Sequence, residues 1–129
     1  MNDPTTSPLG RTRASMRAVA GGLPDRVLVV RLSAMGDIIH GMPSVAALRC
    51  AKPELRIGWL IEERWADLLC SRETERMAPR SYLKPLADWV HLANFSRWRH
   101  RLTSGETRRQ VRSCLGEVRE MTYELTIDL

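Results

Sequence analysis

The sequence predicts an α/β fold built on a Rossmann-like parallel sheet. Three observations carry this. "RVLVVRL" at 26 to 32 places Val27, Leu28, Val29 and Val30 in an unbroken apolar run, the pattern of a strand covered on both faces. Strand-like and helix-like segments then alternate along the chain, which favours parallel pairing through crossover helices. Finally, no run of apolar residues reaches the roughly 18 to 20 that a membrane-crossing helix needs.

Taken in order, the first strand leads into a loop at Ser33–Asp37. There Pro43 is expected to open a helix carrying Val45, Ala46, Ala47 and Leu48, and "KP" at 52 and 53 ends it. "LRIGWLI", 55 to 61, reads as the second strand, and "EERWADLLC" as a helix with Trp65, Leu68 and Leu69 inward. Residues 71 to 88 form a polar, Pro-bearing connection that is long for a small domain. "DWVHL", 88 to 92, is the third strand. In the next helix, Thr103 and Glu106 have capping-box spacing, and Val111, Cys114, Leu115, Val118 and Met121 follow a helical stripe. "YELTIDL", 123 to 129, is the fourth strand. A parallel sheet normally has helices over its last strand, so the expectation is of a truncated domain with further structure to follow.

The 129 residues suffice for one domain with a sizeable core. Residues 1 to 24 mix Pro, Thr, Ser, Gly and Arg without apolar periodicity and read as a disordered tail before a domain at 25 to 129. Cys50, Cys70 and Cys114 are widely spaced with no Cys-x-x-Cys, which points to a reducing compartment and no structural zinc. The formal charge is +5, and Lys52 and Lys84 are the only lysines. Arginine's planar fork suits phosphate and carboxylate, so anionic partners fit, among them nucleic acid, anionic lipid and phosphorylated small molecules.

Ligands of doubly wound sheets gather at the carboxyl ends of strands, which places Ser33, Ala34, Met35, Gly36 and Asp37 at a candidate site. The dinucleotide pattern G-x-G-x-x-G and the phosphate-loop Gly-Lys-Ser/Thr are both absent. Residue chemistry alone favours Asp37 as a helix cap, with a general base as the functional alternative. Ser33 and Gly36 suit a turn, and His40 stands about one turn after Asp37, where it can line the same cleft. "SRWRHR" follows the third strand and opens a cluster of Arg97, Arg99, Arg101, Arg108, Arg109 and Arg112. Those side chains form either a solvated face or an anion-binding one. Glu62 and Glu63 read as first-turn acids favoured by a helix dipole, and His91 and Asp128 as structural residues.

The segments "RVLVVRLSAMGDIIHGMPSVAAL", "IGWLIEERWADLL", "SRWRHR" and "YELTIDL", in that order, resemble the N-terminal part of glycosyltransferase family 9, the ADP-heptose:lipopolysaccharide heptosyltransferases. "S-x-M-G-D-x-x-H-x-x-P" is the specific match. The resemblance implies the N-terminal half of a GT-B glycosyltransferase, in which two Rossmann-like domains face one cleft, here with the C-terminal donor domain absent. It further implies inverting transfer of heptose from ADP-heptose to Kdo of the lipopolysaccharide inner core, with no metal and no cofactor. By the same resemblance Asp37 is the catalytic base, and Ser33, Met35, Gly36, His40, Arg97 and Arg99 bind substrate. Ser96 and His100 depart from the family, which often has further basic residues there. The expected partners are ADP-heptose, a Kdo-lipid A acceptor and the cytoplasmic face of the inner membrane, without nucleic acid, and the fragment is expected to be inactive alone. Two readings stand against this: a basic module for nucleic acid or anionic lipid, and a non-functional fragment.

Overall fold

Valine at 27, 29 and 30 disfavours helix and suits a pleated surface. In the computed structural model, which describes residues 24–129, that run forms β1 (Arg26–Val30) at an interior position of a four-stranded sheet. The remaining strands are β2 (Arg56–Glu62), β3 (Trp89–Ala93) and β4 (Leu125–Asp128). All pairings are parallel, in the order β3-β2-β1-β4. The α/β, Rossmann-like reading is therefore correct. The expected N-terminal tail lies outside the described residues, apart from Pro24.

Register sorts the side chains by face. Val27 pairs with Ile57, and Val29 with Trp59 and through it with Val90. These residues are fully buried, and Ile38 and Val45 of α1 (Met35–Ala51) pack with them in the core. Helix α1 buries Ile38, Gly41 and Val45, a spacing of three and four that forms one stripe. Pro43 lies inside this helix and does not open it. The missing N–H leaves the Ile39 carbonyl without its helical partner, but Ile39 and Pro43 are both exposed, so water can take that carbonyl.

"EERWADLLC" forms a 3-10 turn (Glu63–Leu68) in place of the expected α-helix, and only Leu69 of the three expected inward residues is fully buried. The long connection to β3 is ordered by buried cations. Lys84 is wholly inaccessible, and its ammonium donates to the carbonyls of Arg76, Ala78 and Asp88. Arg49 of α1 donates to the Leu55 and Leu86 carbonyls and pairs with Asp88 at 2.8 Å. Asp88 in turn accepts the Ile57 amide at 2.8 Å. Three irregular stretches are thus tied to one carboxylate and two cations.

After β3, a single turn α2 (Phe95–Trp98) leads to α3 (Gly105–Glu120). The expected Thr103–Glu106 capping box does not form: the helix is entered from Ser104, and Glu106 instead pairs with Arg109 and Gln110 one turn on. The expected stripe is also displaced, because Leu115 is exposed while Thr107 is buried. The sheet beneath α3 offers polar partners, which explains the shift. His91 is fully buried, its Nε2 lies 2.6 Å from the Tyr123 hydroxyl and its Nδ1 3.4 Å from Glu117. Arg76 completes the group, 3.3 Å from Glu117.

Candidate functional site

β1 lies between β2 on one side and β4 on the other, so the strand order, built outward through β2 and β3, switches to the opposite side of β1 at β4 while all strands keep one direction. Crevices form at such switch points. Pairing continues just past β1, with the Arg31 amide donating to Leu60 and the Leu32 carbonyl accepting from Glu62. The chain then leaves the sheet edge and enters α1 through Ala34.

Asp37 sits in the first turn of α1. It is not the residue that precedes the helix, as a simple N-cap would be. Its Oδ2 reaches back to accept the Ala34 amide at 3.4 Å and lies 3.5 Å from Nη2 of Arg31. The side chain is 54% exposed, and Oδ1 has no partner among the described residues. One carboxylate oxygen is therefore held while the other faces solvent. A carboxylate so placed can accept a proton from a hydroxyl brought against it.

The structure brings Ser33, Met35, Gly36, Asp37 and His40 into one exposed segment around the start of α1. A methyl group added at Gly36 would meet nothing within 4 Å, so the protein's own packing does not fill that space. Residue 40 follows Asp37 by three positions, which sets both on one side of the helix.

Arg97 and Arg99 stand at the same edge of the sheet but beyond the end of β3. Two strand spacings, about 10 Å, separate β3 from β1. No hydrogen bond or ion pair joins either arginine to Asp37 among the described residues. Arg97 lines a cleft of about 510 Å³ between α2, the end of β3 and α3, together with Glu63, Asn94, Gln110 and Glu117. Arg99 is exposed, with its Nε 3.3 Å from Nε2 of His100. The two arginines thus do not share one pocket.

Sequence reasoning missed what positions these groups. Arg31 stands six residues before Asp37 in the quoted stretch, and the only signal is its place at a strand end. Glu62, expected as a first-turn acid, is instead the last residue of β2 and is buried. Its carboxylate accepts the amides of Phe95 and Ser96, both at 3.1 Å, and the Ser96 hydroxyl. That satisfies the opening amides of α2 and ties the "SRWRHR" segment to β2. Trp98 is buried and donates to Gln110 at 3.0 Å, which joins α2 to α3. Arg97 and Arg99 therefore flank an anchored tryptophan.

Among the described residues no group of three or more His, Cys, Asp or Glu side chains is arranged to hold a metal ion. Cys50, Cys70 and Cys114 are all free thiols, and burial pushes the Cys114 thiol up from its ordinary pKa. No described helix is long and apolar enough to cross a membrane.

No family model matches the chain. Over 103 residues it is 27% identical to lipopolysaccharide heptosyltransferase 1 of Pseudomonas aeruginosa, covering 80% of this chain and 26% of that protein. Over 43 residues it is 37% identical to lipopolysaccharide heptosyltransferase 1 of Escherichia coli K12, covering 33% of this chain and 14% of the relative. The structure of E. coli heptosyltransferase WaaC with ADP superposes with a TM-score of 0.64 at 23% identity, over 80% of this chain and 28% of that one. The form with ADP-2-deoxy-2-fluoro heptose gives 0.64 at 24% identity. The chain thus spans about a quarter of the length of the Pseudomonas relative. Its similarity to heptosyltransferase 1, read first from the Met-Gly-Asp motif, holds in sequence, and its α/β fold matches part of the WaaC structure.

Proposed function

We propose that residues 25 to 129 form the acceptor-side domain of an inverting heptosyltransferase that moves heptose from ADP-heptose to a Kdo hydroxyl on lipid A, at the cytoplasmic face of the inner membrane. The observation that carries this is the Asp37 carboxylate, exposed at the switch-point edge with one oxygen held and the other without a partner among the described residues. The relatives extend far beyond the region this chain spans, and in this reading the donor sugar nucleotide is held by that further region.

In this reading Asp37 takes the proton from the acceptor hydroxyl as its oxygen attacks the anomeric carbon of heptose. The bond from that carbon to the diphosphate oxygen breaks on the opposite face, and the electron pair leaves with ADP. The configuration inverts, as a base opposite the leaving group requires. Arg31 and the Ala34 amide hold the carboxylate in place, Ser33, Met35, Gly36 and His40 line the approach, and Arg97 and Arg99 attract acidic groups of the acceptor. Similarity to heptosyltransferase 1 favours this over a basic nucleic-acid module.

The test is a chimera in which residues 26 to 129 replace the matching part of E. coli heptosyltransferase 1. Heptose should pass from ADP-heptose to Kdo-lipid A, whereas the 129-residue chain alone should show no turnover. Asp37→Asn in the chimera should lower kcat by about 10² to 10⁴ with acceptor affinity little changed. An Asp37→Asn chimera as fast as its parent would return Asp37 to a helix-terminal role.

A further inference from the structure

Helix α3 gathers three of its four arginines on one side, while the fourth, Arg109, pairs with Glu106 on the other. Arg108, Arg112 and Arg119 recur at intervals of four and seven and lie on one flank, while Glu106, Glu117 and Glu120 lie on the other. Between them, the side turned to the sheet passes through Thr107 and Cys114. Along the arginine flank runs an open groove of about 520 Å³, its apolar lining supplied by Leu102, Val111 and Leu115. Leu102 is 65% exposed and Leu115 51%. None of the three arginines makes an ion pair among the described residues.

We propose that this flank of α3 seats on an anionic lipid bilayer, with Leu102, Val111 and Leu115 entering the acyl boundary and Arg108, Arg112 and Arg119 binding lipid phosphates. This names the surface for the membrane contact proposed above, and it rests on that reading. A helix of low overall hydrophobicity, with an apolar strip bordered by unpaired arginines, matches the chemistry of an interface that is apolar below and anionic above. A second copy of the chain fits worse, since a two-fold pairing of this flank would set its arginines against their own equivalents. Nucleic acid also fits worse, because the flank carries no aromatic residue for stacking and a phosphate backbone gains nothing from the leucines.

The experiment is flotation of the full 129-residue chain with vesicles of phosphatidylcholine alone or mixed with phosphatidylglycerol. The chain should float only with phosphatidylglycerol present, and less so as salt rises. Arg108→Gln, Arg112→Gln and Arg119→Gln should each weaken partitioning about fivefold. Leu115→Ser should weaken it about tenfold, with the far-ultraviolet circular dichroism unchanged. Arg109→Gln, on the other flank, should bind as the parent does.

A parent chain that ignores anionic vesicles overturns the membrane contact itself. Variants of the flank that bind as well as the parent overturn only the choice of surface. A dimer that Leu115→Ser disperses would assign the groove to a second copy. An oligonucleotide that strips the chain from vesicles would assign the arginines to nucleic acid.

Discussion

Arg31 holds Asp37 from across the loop: Nη2 lies 3.5 Å from Oδ2, the same oxygen that accepts the Ala34 amide. Both side chains are partly exposed, so the pair adds at most about 1 kcal/mol to stability. Its consequence is orientation. In the chimera described above, Arg31→Gln should leave the melting temperature nearly unchanged yet lower kcat by about tenfold to a hundredfold, with KM little affected. Arg31→Lys should recover part of the loss. Equal falls in kcat and thermal stability would instead mark Arg31 as a folding residue.

Gly58 has no room for a side chain. A Cβ there would stand 1.8 Å from the Tyr123 hydroxyl and 2.3 Å from its ring, because the ring crosses directly over β2. Gly58→Ala should therefore destabilise the chain by about 1 to 3 kcal/mol, read from the denaturant midpoint. Tyr123→Ala removes the obstacle, so the double variant should be less destabilised than the two single effects added. Strict additivity would show that the ring does not lie over Gly58.

What is legible in the sequence follows from how each feature is encoded. β1 and β2 are readable because burial on both faces leaves unbroken apolar runs such as Val27–Val30. The Met-Gly-Asp loop is readable because its position after a strand already implies an edge. Pro43 misleads because proline marks a helix start only where the preceding residues give no helix of their own, and here exposure of Ile39 lets the helix run through it. The α3 stripe is shifted because the sheet beneath presents His91, and the residues that meet it are Glu117 and Tyr123, which no apolar pattern reveals. Glu62 and Lys84 are likewise unreadable, since each satisfies groups far from it in sequence or within an irregular loop.

Lys84 is the anchor of the long connection. Its ammonium gathers three carbonyls in a site closed to water, even though burial pulls its pKa below the ordinary lysine value. Lys84→Met keeps the length of the side chain and leaves those carbonyls without their donor. We expect a loss of about 3 kcal/mol and faster amide exchange in residues 76 to 88. Unaltered exchange there would mean that Arg49 and Asp88 order the segment without Lys84.

His91 should give the fold an acid limit. Burial is the larger influence and lowers its pKa, and the nearby Glu117 carboxylate only partly opposes it. The unfolded chain therefore takes up the proton first, near pH 6.5, while the folded chain resists it. Stability should be flat from this group above about pH 6.5 and should fall as the pH drops from there through the folded value. Urea midpoints between pH 8 and pH 5 should show the decline in the parent chain and a flatter profile in His91→Gln, whose amide can bond Tyr123 without titrating. Parallel profiles for the two proteins would place the acid sensitivity on some other group.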